Sequence, residues 1–154
     1  MGVCVGILLV VEMEIREMSI GDVQEVYEIG SSDPAFMVAE ESSTFWPTEI
    51  LEGIVNSDSH VSLVLYDDGV KAFLLATYDD VTKKGVVEGV WVNQDWSYRG
   101  SGRKLLNEVE KRLREKGAMY LCALVDESNI QSRNMCNKFG FYGGKSYVWM
   151  HKEY

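Results

Sequence analysis

Basic residues are scarce in this sequence relative to acidic ones. Fifteen lysine and arginine residues stand against 24 aspartate and glutamate residues, which gives a formal net charge of −9 at pH 7. Nucleic acids and anionic lipid surfaces bind proteins chiefly through lysine and arginine. The composition therefore argues against a nucleic-acid or membrane partner, and it is compatible with a cationic substrate.

Cysteine and histidine are also few. The three cysteines, Cys4, Cys122 and Cys136, form no CxxC pair. An odd, scattered set indicates reduced thiols in a cytoplasmic protein rather than a disulfide framework. The two histidines, His60 and His151, lie far apart in the sequence and have no clustered carboxylates or thiols beside them. We therefore expect no metal site.

Hydrophobic runs of membrane-spanning length are absent. The apolar stretch from Gly2 to Val11 is about half as long as the roughly 20 residues that a transmembrane helix needs. It has neither a basic flank nor a small-residue cleavage site, so a secretory signal is not expected. We divide the chain into an N-terminal extension without an assigned role (residues 1–12) and one domain (residues 13–154), long enough for a substantial core.

Apolar periodicity predicts an alternation of strands and helices. The predicted strands are Glu12–Glu17, His60–Tyr66, Val70–Tyr78, Val86–Val92 and Ala118–Val125, with a last pair of strands between Phe141 and Lys152. Helices are predicted after Ser19, from Pro47, and over Gly100–Lys116 and Asn129–Phe139. A sheet layered by helices, in one mixed α/β domain, is consistent with this order.

The stretch from Val92 to Leu106, VNQDWSYRGSGRKLL, carries the main functional signal. An apolar strand ends at Val92, a polar turn with two glycines follows, and a helix begins. Amides at the start of a helix lack partners within the helix, and the helix dipole favours negative charge there. Gly100 and Gly102 would let a phosphate approach the backbone without meeting a Cβ atom. We therefore predict a phosphate-binding turn.

Two common phosphate loops do not fit this turn. A nucleotide P-loop needs Gly, four residues and then Gly-Lys-Ser/Thr, and the sequence contains no such string. A dinucleotide fingerprint needs a third glycine at the position of Leu105. An unrelated α/β nucleotide binder stays open as an alternative, which binding of ATP or NAD instead of coenzyme A would reveal.

The turn resembles the pyrophosphate loop of the GNAT superfamily of acyl-CoA-dependent N-acetyltransferases. Gln94, Ser97 and Tyr98 replace residues that are more common in the family. The positions that match without a gap are Val92, Asp95, Trp96, Gly100, Gly102, Leu105 and Leu106.

A second block, NIQSRNMCNKFGF, resembles the family's motif at the expected distance from the first. Its matching positions are Asn129, Ser132, Met135, Lys138, Gly140 and Phe141. The resemblance covers the chain from about Met13 onwards. It implies a single-domain GNAT-like α/β (α+β) fold, with a mixed, mostly antiparallel, twisted sheet of about six to seven strands, about four flanking helices and splayed central strands.

The resemblance implies acetyl-CoA as co-substrate and no metal. Backbone amides from Tyr98 to Arg103 would bind the pyrophosphate, the edge of strand Val90–Val92 would hold the pantetheine arm, and Asn129 would add a contact. Asn129 is equally explained as a helix N-cap. The candidate co-substrate-binding residues are thus Val90, Trp91, Val92, Tyr98, Arg99, Gly100, Ser101, Gly102, Arg103 and Asn129.

Glu88 is the candidate general base. Regular alternation along the strand would place it on one face with Val90 and Val92 and put Gly89 and Trp91 on the other. A carboxylate within an apolar strand is costly unless it is paired or used in chemistry. Two alternatives stay open: Glu88 pairs with a lysine at position 83 or 84, or the base is one of Asp126 and Glu127.

Cys136 is the candidate general acid, because it stands where the family often has tyrosine. A thiol could protonate a coenzyme A thiolate of similar basicity. A free cysteine is, however, often a small buried hydrophobe. Tyr142 and Tyr147 are alternative acids, and the thiolate could also leave to water.

The resemblance implies direct transfer of an acetyl group to a primary amine in a ternary complex. We expect the acceptor site to involve residues 36–46 and the aromatic residues Tyr142, Tyr147 and Trp149. A small amine is favoured over a protein N-terminus, because family members acting on ribosomal-protein termini often have tyrosine at position 136 and glutamate at position 124. The alternatives are protein N-terminal acetylation and a non-catalytic acyl-CoA sensor. Family members are often dimers, which leaves a homodimer open.

Overall fold

The computed structural model describes residues 14–39 and 42–154. The apolar stretch from Gly2 to Val11, the extension over residues 1–12 and the start of the first predicted strand lie outside the described residues. The strands are β1 Glu14–Glu17, β2 Met37–Ala39, β3 Ser42–Ser43, β4 His60–Tyr66, β5 Val70–Asp79, β6 Lys84–Val92 and β7 Tyr120–Ala123. The helices are α1 Val23–Ser32, α2 Thr48–Val55, α3 Ser101–Lys116 and α4 Ile130–Lys138.

Five strands form one mixed sheet in the order β1-β4-β5-β6-β7. The first three pairings in that order are antiparallel, and the last, between β6 and β7, is parallel. β2 and β3 form a separate short antiparallel pair. The predicted α/β fold, a mostly antiparallel sheet flanked by four helices, is confirmed. The main sheet has five strands among the described residues, against about six to seven predicted.

The sheet has an apolar core on each face. Phe73 of β5 is fully buried beneath α1 and α2 and stacks on Trp91 of β6, with ring centroids 5.7 Å apart. The opposite face packs against α3, whose buried residues are Leu105, Leu106, Val109 and Leu113. These four share the helical face that the sequence spacing predicts. The two cores fix the position of β6 from both sides.

Helix α3 ends where the sequence predicts. Gly117 adopts a left-handed conformation with φ of 107°. Its amide donates to the carbonyl of Arg114, and the amide of Ala118 donates to the carbonyl of Leu113. This pattern caps the last carbonyls of the helix. Because the cap uses the amide of Ala118, β7 begins later than predicted, at Tyr120.

The predicted last pair of strands between Phe141 and Lys152 is wrong. This segment contains neither helix nor strand, and every residue from Tyr142 onwards is exposed. Its aromatic and β-branched residues favour strands, but that preference acts through packing against neighbouring strands. Gly143 and Gly144 add backbone freedom that opposes strand formation. Within the described ranges, no helix is both long and apolar enough to cross a bilayer.

A buried ion pair ties β1 to the start of α1. Asp22 is only 5% exposed. Its two carboxylate oxygens accept hydrogen bonds from Arg16 at 2.7 and 2.9 Å. The backbone amide and the hydroxyl of Ser19 donate to Asp22 at 2.7 and 2.8 Å. Arg16 and Ser19 together lower the pKa of Asp22 to about 2, from an ordinary value of 3.8.

The pair predicts a pH-dependent contribution to stability. Since the folded-state pKa of Asp22 lies below its unfolded value, the contribution is complete above pH 4 to 5 and is lost as the pH falls towards 2. Asp22→Asn should therefore lower the free energy of unfolding at pH 7 by about 2 kcal/mol. Urea unfolding of both proteins between pH 7 and pH 2 measures the difference, which should shrink at low pH. The exposed Asp58→Asn is the control, and a gap independent of pH would contradict the role of the carboxylate.

Candidate functional site

Strand β6 contains one extra residue, Glu88. Gly89 lies opposite Leu75 of β5 and Val87 lies opposite Ala76, so Glu88 has no register partner. This is a β-bulge, in which two residues of one strand face one residue of the other. A bulge shifts the alternation of side chains beyond it, and therefore decides where Glu88 points.

Because of the bulge, the predicted placement of Glu88 is wrong. Val90 and Val92 pack on the face that carries α3, whereas Trp91 packs on the opposite face. Glu88 lies on the face of Trp91, where its carboxylate accepts a hydrogen bond from Thr77 at 2.9 Å. Its side chain is exposed, although its neighbours in the sequence are apolar.

Glu88 lines a small cleft on this face of the sheet. The cleft has a volume of about 110 Å³. The residues that line it are Trp46, Ile54, His60, Leu75, Ala76, Thr77 and Glu88. Trp46 belongs to the segment predicted to contact the acceptor. His60 and Thr77 were not predicted as site residues, because their position beside Glu88 depends on strand register.

The edge of β6 is only partly paired on the side of β7. The parallel pairing covers Lys84 to Val87 and stops at the bulge. In the part of the chain that the structure describes, no strand pairs on that side with residues 88–92. The candidate pantetheine residues Val90, Trp91 and Val92 therefore lie on an open strand edge. Such an edge presents backbone groups that an extended, amide-containing ligand can pair with.

The glycine-bearing turn joins this open edge to α3. A 3-10 helix, Gln94–Arg99, follows β6, and Gly100 adopts a left-handed conformation with φ of 73°. The first intrahelical hydrogen bond runs from the amide of Lys104 to the carbonyl of Gly100. Amides before that point, such as those of Gly102 and Arg103, belong to the first helical turn, which has no acceptors within the helix. The backbone geometry is that of an anion-binding helix start.

Gly100 and Gly102 differ in the space that surrounds them. A Cβ atom added to Gly100 would lie in open space, with no atom within 4 Å. A Cβ atom added to Gly102 would approach the sulfur of Met135 on α4 to 2.8 Å. Gly102 therefore leaves room for the side chain of Met135 beside the start of α3, where the two family-like sequence blocks meet.

Asn129 caps α4. Its side-chain oxygen accepts a hydrogen bond from the amide of Ser132 at 3.0 Å. This confirms the N-cap interpretation. The cap uses the oxygen, and the amide nitrogen of Asn129 has no protein partner among the described residues. That nitrogen is the atom with which Asn129 would contact a ligand.

The candidate acids and alternative bases differ in burial and in pKa. Burial raises the pKa of the half-buried Cys136 thiol, which keeps it protonated near neutral pH. Tyr142 and Tyr147 are 90% and 81% exposed in the irregular C-terminal segment. Hydrogen bonds from Ser128 lower the pKa of Asp126, which makes its carboxylate a poorer proton acceptor. Burial raises the pKa of Cys122, the charge of Lys84 opposes this effect, and the charge of Glu88 adds to it.

Several predicted residues lie at the margins of the site. Arg103 is exposed on the first turn of α3, and Ser101 is buried. Trp149 is 58% exposed in the C-terminal segment and does not line the cleft. Within residues 14–39 and 42–154, no group of three histidine, cysteine, aspartate or glutamate side chains is arranged to hold a metal ion.

The sequence matches one family over most of its length. The profile of the "Acetyltransferase (GNAT) family" matches residues 23–141. A search of curated proteins by sequence finds no match.

Solved structures share the fold at low identity. A transcriptional regulator from Bacillus halodurans C-125 superposes with a TM-score of 0.77 at 16% identity, covering 91% of this chain and 99% of the other. AAC(6')-Iy in complex with the bisubstrate analogue CoA-S-monomethyl-acetylneamine superposes with a TM-score of 0.71 at 19% identity, covering 92% of this chain and 98% of the other. The ribosomal-protein-S18-alanine N-acetyltransferase from Escherichia coli superposes with a TM-score of 0.67 at 19% identity, covering 86% of this chain and 79% of the other.

The open space at Gly100 yields a test of the turn. Gly100→Leu and Gly140→Leu are matched variants, because both glycines are exposed, have positive φ values of 73° and 96° and would place a Cβ atom in open space. A leucine side chain in the turn would cover the helix start, so Gly100→Leu should weaken coenzyme A binding about tenfold or more. Gly140→Leu should keep the wild-type affinity, and each variant should lose about 1 to 2 kcal/mol of unfolding free energy. Calorimetric titration measures the affinity of both variants for coenzyme A. Equal loss of affinity in the two variants, or no loss in either, would contradict the assignment of the turn.

Proposed function

The chain belongs to the GNAT family of acetyltransferases, and we propose that it transfers the acetyl group of acetyl-CoA to a small primary amine. The amine attacks the thioester directly while both substrates are bound. The family is a class of acetyl-CoA-dependent N-acetyltransferases, so the reaction class follows from membership. The acceptor class and the residue roles are the proposal.

One observation carries this proposal. A single stretch, from Glu88 to Gly102, contains the carboxylate, the open strand edge and the glycine-bearing helix start. An extended acyl-CoA bound along this stretch would have its diphosphate at the helix start and its pantetheine arm along β6. Its thioester would then lie towards the bulge that carries Glu88. This order is the one that acetyl transfer requires.

Coenzyme A binding is supported independently by a structural neighbour. AAC(6')-Iy has the same fold and, by the description of its complex, binds an analogue that joins coenzyme A to an aminoglycoside fragment. The sequence block from Val92 to Leu106 resembles the family's coenzyme A loop, and the amides of Gly102 and Arg103 lie at the helix start, where we propose that the diphosphate binds.

Glu88 is the proposed general base. The hydroxyl of Thr77 donates to one carboxylate oxygen and fixes its position, and the other oxygen is available for the acceptor ammonium. Uptake of a proton by Glu88 converts the ammonium into the neutral amine that can attack. Backbone amides on the edge of β6 would stabilise charge on the thioester oxygen, an effect worth roughly 3 to 4 kcal/mol per donor in comparable sites.

Cys136 is the proposed general acid for the leaving thiolate. Burial keeps this thiol protonated near neutral pH. Its helix, α4, packs through Met135 against Gly102 at the start of α3. Release of the thiolate to water is the alternative, which Cys136→Ala with full activity would favour.

The cleft beside Glu88 supports a small primary amine as acceptor. At about 110 Å³ it is smaller than the roughly 150 Å³ cavity that accepts benzene, so it suits the reacting end of an amine. The indole of Trp46 and the carboxylate of Glu88 both favour a cation. The net charge of −9 further attracts cationic acceptors. A ribosomal-protein alanine acetyltransferase among the neighbours keeps protein N-termini as the alternative acceptor.

Replacing the proposed base should affect turnover selectively. Glu88→Gln removes the proton acceptor but keeps a hydrogen-bond acceptor for Thr77, so kcat should fall about a hundredfold or more while the affinity for coenzyme A stays near wild type. Steady-state kinetics between pH 6 and pH 9 measure the effect. Glu115→Gln on the exposed end of α3 is the matched control. Unchanged turnover across this range would remove Glu88 from the mechanism.

A panel of acceptors tests the proposed function itself. Thiol release from acetyl-CoA is followed with polyamines, amino acids, aminoglycosides and N-terminal peptides. We expect acceptor-dependent release with at least one small amine and little with peptides. Activity confined to peptides would show that the acceptor is a protein N-terminus and not a small amine. Tight binding of coenzyme A without release by any acceptor would favour a non-catalytic sensor.

A further inference from the structure

We propose that His60 is a second proton-handling residue of the acceptor cleft, which receives the proton that Glu88 takes from the amine and releases it to solvent. This inference rests on the proposed function. It extends the site to a residue that neither the family resemblance nor the sequence pattern singles out.

The strand register aligns three polar side chains across the sheet. His60 of β4 lies opposite Thr77 of β5, and Thr77 donates a hydrogen bond to Glu88 of β6 at 2.9 Å. Directly opposed residues on neighbouring strands have adjacent side chains. All three line the same cleft with Trp46 and Ile54. A polar row therefore runs from the proposed base to the first residue of β4.

The far end of this row leads to an exposed turn. Nδ1 of His60 lies 2.9 Å from the hydroxyl oxygen of Ser57, which also accepts the amide of Ser59 at 3.2 Å. Asp58 and Ser59 are exposed, whereas His60 is half-buried. This turn therefore joins the half-buried His60 to solvent.

The protonation state of His60 suits this role. Burial lowers the pKa of His60, and the negative charge of Glu88 acts in the opposite direction. The facing residues on other elements, Thr77, Trp46 and Ile54, carry no charge, and the ammonium of Lys116 binds the backbone carbonyl of Asp58 in the exposed turn. His60 is therefore neutral at pH 7 and can accept a proton.

The proposed transfer is balanced in atoms and charge. An N–H bond of the acceptor ammonium breaks and an O–H bond forms at Glu88. That O–H bond then breaks, an N–H bond forms on the His60 ring, and the carboxylate is restored. Because burial lowers the pKa of His60, its imidazolium gives the proton up readily. The imidazolium finally loses the proton to water, and no electrons are transferred.

Chemical rescue tests this role in the whole protein. His60→Ala should lower kcat with the best amine of the panel about tenfold or more, with the KM for acetyl-CoA unchanged. Added imidazole should restore turnover in proportion to its neutral form, because it replaces the missing proton acceptor. His151→Ala is the matched control, since His151 lies exposed in the C-terminal segment. Its kcat should equal that of the wild type and should not change when imidazole is added. His60→Ala that turns over like wild type, or that loses activity without rescue, would overturn the proposal.

A second measurement does not depend on activity or on the alanine variant folding. The pKa of His60, followed by NMR in the wild-type protein, should lie below the ordinary value of a histidine side chain. In Glu88→Gln it should fall further, because the charge that favours the imidazolium is gone. An unchanged His60 pKa in Glu88→Gln would show that the two groups are not coupled and would overturn the proposal. Wild type without activity towards any amine would instead remove the proposed function.

Discussion

One extra residue in β6 organises the candidate site. The bulge at Glu88 coincides with the point where pairing between β6 and β7 stops. It also turns the carboxylate of Glu88 towards the cleft, while Val90 and Val92 keep their places in the core beside α3. A regular strand would put the carboxylate on the face of those valines, against α3, where a charge is costly. The bulge thus coincides with the open edge of β6 and also orients the proposed base, Glu88, towards the cleft.

Packing between distant segments holds this arrangement. The side chain of Met135 on α4 lies against Gly102 at the start of α3, so the two sequence blocks that resemble the family are neighbours in the fold. Trp91 stacks on Phe73 and fixes the free part of β6 from the opposite face. The proposed coenzyme A surface, which consists of backbone groups, is therefore supported by core packing on both sides.

Local signals in the sequence were sufficient for most elements. The helix from Ser101 to Lys116, its cap at Gly117 and the β4–β5 hairpin follow from spacing and turn chemistry. The orientation of Glu88 was predicted wrongly, because alternation assumes a regular strand and a bulge leaves no mark in the sequence. His60 joins the site only through its register with Thr77, which is a property of the sheet. The aromatic C-terminal segment was predicted as strands, but strand preference alone supplies no partner.

The central claim is that the amides at the glycine-bearing helix start and on the open edge of β6 bind coenzyme A. Amide hydrogen exchange, measured with and without coenzyme A, tests it most directly. The account predicts slower exchange on binding in the segments that contain Val90–Val92 and Gly100–Arg103, and little change on the solvent face of α1. Exchange that is unchanged in both segments at saturating coenzyme A, or protection confined to another surface, would contradict the account.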